Sequence, residues 1–366
     1  MESVVPLYEK RKEMRITYVI STLRRGGAER MLVNLINALP TNIHVDIVVL
    51  KSDISMAEHL VHPNAKLHVL NMRSHWDFLG WLRFLKLVRR LHPDVVHSHM
   101  LLANLSTRLA KVLCGFKVLI NHEHGLGVWK GRPLCFIDRI TQFLANKVIT
   151  VSVASREIRL KRERIDSDRV IVMHNAINWE EWNSVPPAPN GNCASWGIAA
   201  TLKAVKRIHI GLELLAEVRK NGSKARLLIA GDGPQQKMLE AKCNKLGLNR
   251  FVKFLGYIQD MRQFYANVDV VLLTSLREDF PMTLLEGLAA GKFVVASSVG
   301  GVPEILESAP DAVIIDDVSD LSSVVRRLAN VDAGFNSKAN RNYAKQFSIC
   351  NYVDRITELY TNLLQK

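Results

Sequence analysis

The feature that most constrains the fold is an alternation of short apolar runs with amphipathic helical patterns along nearly the whole chain. Runs such as Ile16–Ser21 and Val45–Leu50 have the length and composition of buried strands, and the helical pattern Ala28–Leu39 lies between them. Strands that alternate with helices predict an open, mostly parallel sheet. We therefore expect an α/β protein.

The alternation forms two series, which agrees with the two domains that 366 residues suggest. The strands predicted in the first series are Ile16–Ser21, Val45–Leu50, Lys66–Val69, Asp94–His97, Lys117–Asn121, Lys147–Val151 and Val170–His174. Those predicted in the second are Trp196–Ala199, Arg226–Ala230, Val252–Leu255, Val270–Thr274, Phe293–Ser297 and Ala312–Ile315. The proline-rich stretch within Trp179–Cys193 separates the series, because proline is excluded from helix interiors and central strands.

These patterns predict four segments. Residues 1–13 are polar and are expected to form a flexible tail, residues 14–182 a first Rossmann-like domain and residues 183–342 a second one. Residues 343–366 contain the helical pattern Tyr352–Leu364, with Val353, Ile356 and Tyr360 on one apolar face.

The composition excludes some classes of protein and leaves others open. The start of the chain lacks the apolar segment of a signal peptide, and the five scattered cysteines contain no Cys-x-x-Cys pair, so a reduced cytoplasmic protein is expected. The net charge of +14 suits nucleic acid, an anionic membrane surface or a phosphorylated substrate, and charge alone does not choose among them.

Loops that follow the strands are the candidate functional segments, because ligands of open α/β sheets bind at the carboxyl ends of the strands. In the first series, Gly26 and Gly27 open a helix whose free N–H groups could bind an anion. The pairs His97/His99 and His122/His124 could contact a sugar or relay a proton. We expect no metal there, on the reasoning that alternate side chains at a strand end point to opposite faces and that no further ligands complete a site.

In the second series, the key segment follows Val270–Thr274. Glu278 is predicted in a loop, Pro281 suits the first position of a helix, and the helix is expected to begin near Met282. Its amino end, at Met282, Thr283 and Leu284, could bind a diphosphate while Glu278 accepts hydrogen bonds from a sugar, with Glu286 further along the same helix. Gly231 and Gly233 punctuate another loop, and Lys203, Lys206 and Arg207 form a cationic cluster after Trp196–Ala199.

Taken in order, these segments resemble glycosyltransferase family 4 over almost the whole chain. The matching pieces are Gly26–Arg30, Asp94–His99, His174–Asn178, Gly231–Pro234, Val252–Gly256 and the glutamates Glu278 and Glu286. The resemblance implies a GT-B fold, in which two Rossmann-like domains face a central cleft and the C-terminal helix packs back on the N-terminal domain.

The resemblance also implies a retaining transfer from a nucleotide-diphosphate sugar, with a UDP-sugar favoured, and no metal or other cofactor. The acceptor is expected to be a glycan or lipid-linked sugar in cell-surface polysaccharide or lipopolysaccharide biosynthesis. Glu278, His124 and Lys206 are implied as catalytic, Glu286 as the contact to the ribose, and Tyr257 as a contact to the base. The arginine that normally accompanies the lysine is replaced by Thr201, so Lys203 or Arg207 substitutes for it or the donor binds less tightly.

One segment suggests a membrane partner. Within His75–Leu91, aromatic residues alternate with cations, which is typical of a helix at an anionic membrane surface. The contacts are expected from Trp76, Trp81, Arg83, Lys86, Arg89 and Arg90, whereas Leu82, Leu85 and Val88 are expected to pack on the sheet. The protein would then be cytoplasmic and peripheral at the inner face of the cell membrane.

Three alternatives remain at this point. The charge also suits a nucleic-acid-binding protein, although the cations are spread along the chain and no recognition motif is found. A GT-B enzyme of other chemistry, such as an epimerase or a phosphorylase, would share the fold. A catalytically weak relative would explain Thr201.

Overall fold

The computed structural model describes residues 14–74, 77–128, 130–187, 195–316, 325 and 337–366. The predicted tail at residues 1–13 and the aromatic residue Trp76 lie outside these ranges. The described residues form two compact units, one of those from 14 to 176 together with 349–366, and the other of those between 177 and 348.

The first unit contains a parallel sheet in the order β3-β2-β1-β4-β5-β6-β7. Its strands are β1 (Arg15–Ile20), β2 (His44–Val49), β3 (Ala65–Val69), β4 (Val95–His99), β5 (Val118–Glu123), β6 (Lys147–Thr150) and β7 (Val170–Val172). Its helices are α1 (Gly27–Ala38), α2 (Phe78–Leu91), α3 (Leu101–Cys114), α4 (Arg132–Thr141) and α5 (Val153–Arg162).

The second unit contains a parallel sheet in the order β10-β9-β8-β11-β12-β13. Its strands are β8 (Ser195–Ala199), β9 (Arg226–Ala230), β10 (Val252–Gly256), β11 (Val270–Leu273), β12 (Phe293–Ser297) and β13 (Ala312–Ile315). Its helices are α6 (Trp179–Asn183), α7 (Ile208–Lys220), α8 (Gln236–Lys245), α9 (Met261–Tyr265), α10 (Met282–Ala289), α11 (Val302–Leu306) and α12 (Ser337–Ala344).

The last helix, α13 (Ile349–Gln365), belongs to the first unit. Its residues Tyr352, Val353, Ile356 and Tyr360 are buried in the same core as β1 and α1. The helix therefore closes one face of the first sheet, and α2 and α3 cover the opposite face. The predicted α/β fold, with a C-terminal helix that returns to the N-terminal domain, is confirmed.

The unit boundaries differ from the predicted ones by six residues at each crossing, at 176 rather than 182 and at 348 rather than 342. Trp182 on α6 packs edge-on against Tyr265, with 5.4 Å between ring centroids. Phe347 packs in the same way against Phe280, at 5.9 Å. These aromatic contacts attach both segments that connect the units to the second unit. The predicted boundary was placed from the prolines, which carry no information about such contacts.

No helix among the described residues is long and apolar enough to cross a bilayer.

Candidate functional site

The predicted residues of the second unit lie side by side at one edge of its sheet. Tyr257 follows β10, Gly231 follows β9, Thr201 follows β8 and Glu278 comes after β11, and these four strands are consecutive neighbours. Because all pairings are parallel, the carboxyl ends of these strands form one continuous edge. The topology therefore brings together segments that are up to 77 residues apart in the chain, the separation of Thr201 and Glu278.

The glycines of the β9 loop allow it to approach the neighbouring loop closely. Gly231 and Gly233 have φ values of +124° and +153°, and a Cβ on Gly231 would lie 2.9 Å from the carbonyl carbon of Ala200. The backbone N–H of Leu202 donates to the carbonyl of Asp232 at 2.7 Å. The need for glycine here is thus explained by backbone packing between two loops. Contact of either glycine with a donor stays a prediction.

The centre of the edge is an ion pair between Lys206 and Glu278. Lys206 Nζ lies 2.6 Å from Glu278 Oε1, and the hydroxyl of Ser275 donates to the same oxygen at 2.6 Å. The lysine side chain retains 26% of its exposure and the glutamate 10%, so the pair sits at the surface of the edge and not in the core. Both hydrogen bonds reach Oε1, which leaves Oε2 as the oxygen that can accept from a ligand.

The backbone holds this pair in place. The hydroxyl of Thr274 lies 3.2 Å and 3.1 Å from the carbonyl oxygens of Lys206 and Arg207. The N–H of Leu276 donates to the carbonyl of Val205 at 2.8 Å. These hydrogen bonds fix the loop of residues 204–207 to the segment after β11. The backbone thereby holds the Lys206 ammonium group next to the Glu278 carboxylate.

Helix α10 begins beside this pair. Pro281 is its N-cap residue, and Met282, Thr283 and Leu284 form its first turn. The N–H of Leu284 donates to the carbonyl of Pro281 at 3.2 Å, whereas the N–H groups of Met282 and Thr283 precede the first carbonyl of the helix that could accept them. This end therefore carries partial positive charge. The predicted helix start is confirmed, and the turn is suited to an anionic ligand.

Glu286 is buried within α10 and is held by a residue that sequence reasoning missed. The hydroxyl of Tyr265 lies 3.1 Å from Glu286 Oε2 and 3.0 Å from the carbonyl oxygen of Thr283. Tyr265 ends α9, 21 residues before Glu286, and no spacing in the sequence links the two. Ser275 was missed as well, although its place directly after the strand was a usable signal.

The other two cations of the cluster, Lys203 and Arg207, are the candidates to replace the arginine whose position Thr201 occupies. Thr201 and Lys203 are exposed, and Arg207 is half-buried with a φ of +48°. Lys206 is the member of this cluster whose side chain meets Glu278. Replacement of the missing arginine by Lys203 or Arg207 stays a prediction.

In the first unit, the amino end of α1 is faced by a carboxylate of its own helix. The side chain of Glu29 lies against Gly26, where a Cβ would collide with it, and Arg24 lies 3.6 Å from the same carboxylate. Burial raises the pKa of Glu29, and the backbone, Arg24 and Thr22 only partly offset that rise. In this structure the Glu29 carboxylate thus lies at the helix end that Gly26 and Gly27 open, and contact of these glycines with a donor stays a prediction.

The two histidine pairs form one stacked cluster, which corrects the reasoning used against a metal. In a strand, residues two apart share a face, so His97 and His99 lie together on β4. The register places His99 beside His122, and His124 stacks on His122 with ring centroids 4.1 Å apart. One ring nitrogen from each of His97, His99 and His122 lies within 4.8 Å of the other two. The rings are within 34° of parallel, so they would have to turn for their lone pairs to converge on one ion.

Burial keeps these imidazoles neutral. It lowers the pKa of His97 to about 3 and that of His124 to about 4, and it holds the pKa of His99 and His122 well below the usual range. His124 is the half-buried member, at the carboxyl end of β5. At neutral pH it can therefore donate or accept a hydrogen bond, but it does not supply a positive charge.

One hydrogen bond lies within the cluster, and another connects it to the C-terminal helix. His99 Nδ1 lies 2.8 Å from His124 Nε2, so the nitrogen of His124 left for another partner is Nδ1. His97 Nδ1 lies 2.6 Å from the hydroxyl of Tyr360 on α13, which in turn lies 3.1 Å from the hydroxyl of Tyr18. The C-terminal helix thus contributes a polar contact to the cluster as well as apolar burial.

A buried ionic network supports the loop after His124. Lys130 Nζ lies 3.5, 2.5 and 3.0 Å from carboxylate oxygens of Glu123, Asp138 and Glu163. Arg159 binds Glu123 and Glu163 and also donates to the carbonyl of Gly125 at 2.8 Å. No sequence pattern predicted this network, because its members come from separate elements.

The amphipathic segment forms α2, but its predicted faces need correction. Leu82, expected in the core, is exposed, and Phe84, another aromatic residue of the segment, is fully buried. Trp81 is half-buried, and Val88 packs in the core as predicted. Arg83, Lys86, Arg89 and Arg90 are all exposed.

Comparison with known proteins places these units in a family. The family profile "Glycosyltransferase Family 4" matches residues 25–181, and "Glycosyl transferases group 1" matches residues 196–346. An uncharacterised glycosyltransferase of Methanocaldococcus jannaschii is 27% identical, over 77% of this chain and 79% of its own.

Two further proteins are similar over more of the chain. A Campylobacter jejuni α-1,4-N-acetyl-D-galactosaminyltransferase, named for a glycan on diphospho-undecaprenol, is 25% identical over 91% of this chain and 93% of its own. The crystal structure of Anabaena HepE with UDP and glucose superposes with a TM-score of 0.81 at 19% identity, covering 96% of this chain and all of HepE. The fold is therefore GT-B. Because the two profiles together span most of both units, the chain belongs to the group 1 glycosyltransferases of family 4.

Proposed function

We propose that the chain is a retaining glycosyltransferase that uses a nucleotide-diphosphate sugar, with a UDP-sugar favoured. The observation that carries the proposal is the Lys206–Glu278 pair at the start of α10. A cation and a helix amino end beside a carboxylate suit a ligand that is a diphosphate at one end and a polyol at the other. The UDP and glucose bound by HepE, which shares the fold, agree with a donor of this class.

The roles follow from the charges. As the bond between the anomeric carbon and the diphosphate oxygen breaks, negative charge grows on the leaving group. Lys206 and the first turn of α10 would stabilise this charge more in the transition state than in the ground state. Glu278 Oε2 would accept hydrogen bonds from sugar hydroxyls, and Glu286, oriented by Tyr265, would accept from the ribose.

We propose front-side attack. The acceptor oxygen bonds to the anomeric carbon on the face that the diphosphate leaves, and the acceptor's proton passes to the departing phosphate oxygen. His124 is neutral and half-buried, and its Nδ1 is buried without a hydrogen-bond partner among the described residues. A turn of this imidazole is proposed to let it hydrogen-bond the donor sugar. The charge on the diphosphate is neutralised by protein groups, so withholding Mg²⁺ and Mn²⁺ is expected to leave the rate unchanged. A covalent glycosyl adduct on Glu278 would contradict front-side attack.

The acceptor is proposed to be a glycan or lipid-linked sugar of cell-surface polysaccharide or lipopolysaccharide biosynthesis. The Campylobacter relative, named for a glycan on diphospho-undecaprenol, supports this class of acceptor. A lipid-linked acceptor would place the enzyme at the cytoplasmic face of the membrane, in contact through α2.

The donor class is tested by thermal shift with UDP, GDP, ADP and their sugars. Ligand at about a hundred times its Kd stabilises the folded state by roughly 2.7 kcal/mol, which a melting curve resolves. Lys206→Met is expected to abolish the shift and to lower the transfer rate by about 10²–10³. Lys253→Met, an exposed lysine on β10, is the matched control and should change neither.

Stereochemistry provides the second test. The anomeric configuration of the product, read by NMR, should match that of the donor. An inverted product would refute the retaining assignment, and the absence of a shift with every nucleotide would refute the donor class. Formation of an epimerised nucleotide sugar, without transfer to an acceptor, would favour the epimerase alternative.

A further inference from the structure

Three adjacent helices of the first unit expose large apolar side chains to solvent. Phe78 retains 71% of its exposure, and Val112 and Phe143 retain 62% each. The set consists of Phe78, Leu79 and Leu82 on α2, Leu109, Val112 and Leu113 on α3, and Phe136, Ile137, Ile140 and Phe143 on or directly after α4. Single exposed apolar residues are common, but a group of this size marks an interaction surface.

These residues belong to one face of the molecule. Helices α2 and α3 pack on the same side of the sheet, where Phe84 and Ala110 share a core. Arg89 Nη2 on α2 donates to the carbonyl of Leu113 at the end of α3, at 2.8 Å. Arg108 on α3 binds Asp138 on α4 at 2.8 Å. The outward sides of the three helices therefore form a continuous surface, the α2–α4 surface.

Each helix presents its exposed apolar residues as a stripe. Leu109, Val112 and Leu113 have the spacing of one helix side, and Phe136, Ile140 and Phe143 have it as well. The inward sides of the same helices are filled by buried residues such as Phe84 on α2 and Cys135 on α4. The buried residues already provide the packing of these helices on the sheet. The exposed apolar residues are therefore not needed for that packing.

The charge on this surface has one sign. Arg83, Lys86, Arg89 and Arg90 on α2 and Arg132 and Arg139 on α4 are exposed. Residues 78–91, 101–114 and 132–141, all of them described, contain one acidic residue, Asp138. Asp138 is buried and bound to Arg108 and Lys130, so it does not face outward. Apolar stripes surrounded by cations are complementary to a bilayer with anionic headgroups.

We propose that the α2–α4 surface docks on an anionic lipid bilayer, with apolar side chains of all three helices entering the interface. Contact through α2 alone was predictable from its sequence, and the new element is the participation of α3 and α4. Arginine and lysine attract the headgroups, and Phe136 and Phe143 extend the apolar contact well beyond α2. The docking does not depend on the transfer reaction and can fail or succeed separately from it.

The test is flotation of the full chain with vesicles. Vesicles of equal parts phosphatidylcholine and phosphatidylglycerol are expected to bind the protein, more weakly as salt rises, and phosphatidylcholine alone to bind little. The double variant Phe136→Ser with Phe143→Ser should bind at least about tenfold more weakly, because each phenylalanine buried contributes that order of affinity. Val61→Ser is the matched control, since Val61 is 75% exposed but lies outside the α2–α4 surface.

The outcomes separate the possibilities. Melting midpoints equal to that of the wild type would show that the variants are folded, and transfer to a water-soluble acceptor should be unchanged in them. Wild-type binding by the double variant would overturn the role of α4. Equal binding to neutral and anionic vesicles, or self-association of the chain without vesicle binding, would overturn the proposal in favour of a protein interface or a nonspecific apolar patch.

Discussion

Replacing Lys130 by methionine tests how much the buried ionic network stabilises the first unit. Three carboxylates, those of Glu123, Asp138 and Glu163, lie within ion-pair distance of Lys130, and every member of the group is at least 95% buried. Methionine keeps the apolar stem but leaves a buried carboxylate without a compensating charge. Breaking a buried pair in this way costs about 3–5 kcal/mol.

Hydrogen exchange of individual segments is the suitable assay, because a chain of two units need not unfold in one step. Because each 1.4 kcal/mol corresponds to about a factor of ten, the protection of β5 amides from exchange should fall by about 10²- to 10³-fold or more. Lys161→Met, at an exposed lysine of α5, is the matched control and should stay within about 0.5 kcal/mol of the wild type. A Lys130 variant as well protected as this control would refute the reasoning.

The pH dependence of the variant supplies an independent check. Burial alone would raise the pKa of Glu123, but Arg159, Lys130 and Arg108 outweigh it and lower the pKa to about 2. The depressed pKa means that this carboxylate stabilises the wild type above about pH 4.5, and the contribution is lost as pH falls towards 2. Without Lys130 a carboxylate takes up a proton more readily, so the stability deficit of the variant relative to the wild type should narrow as the pH falls from neutral towards 4.5, the ordinary pKa of a glutamate. A deficit that widens on acidification would contradict the charge argument.

Three further predictions follow from the same structure. Gly231→Ala should destabilise the second unit more than Gly247→Ala in urea unfolding, because both positions have positive φ but only Gly231 also meets neighbouring backbone. His99→Gln should lower kcat roughly tenfold to a hundredfold by releasing His124 from its hydrogen bond, whereas the same change at the exposed His59 should not. Acidification from about pH 6.5 to about pH 4 should lower the protection of β4 amides from exchange. The buried histidines have depressed pKa values in the folded state, so the unfolded chain takes up protons first and the fold loses stability as the pH falls through this range. Unchanged protection of β4 would contradict this.

Periodicity in the sequence was sufficient for the architecture. All thirteen predicted strands form within two residues of their predicted ends, and the helix start at Met282 is correct. The spacing of apolar residues and the prolines and glycines that end helices and strands are local signals, because each acts over only a few residues. The order of motifs was also enough to place the chain in its family, because order is itself a property of sequence.

The contacts that make the candidate site were decided by tertiary structure. Glu278 was found as a candidate from its loop, but its distance to Lys206, 72 residues earlier, depends on β8 and β11 being neighbours. The hydrogen bond from Tyr265 to Glu286 and the contact between the rings of His99 and His122 depend on packing and register in the same way. The sequence by itself determined which residues sit at strand ends and helix starts, because those positions follow from local backbone preferences. Which of them touch was decided only when the parallel sheets brought distant segments to one edge.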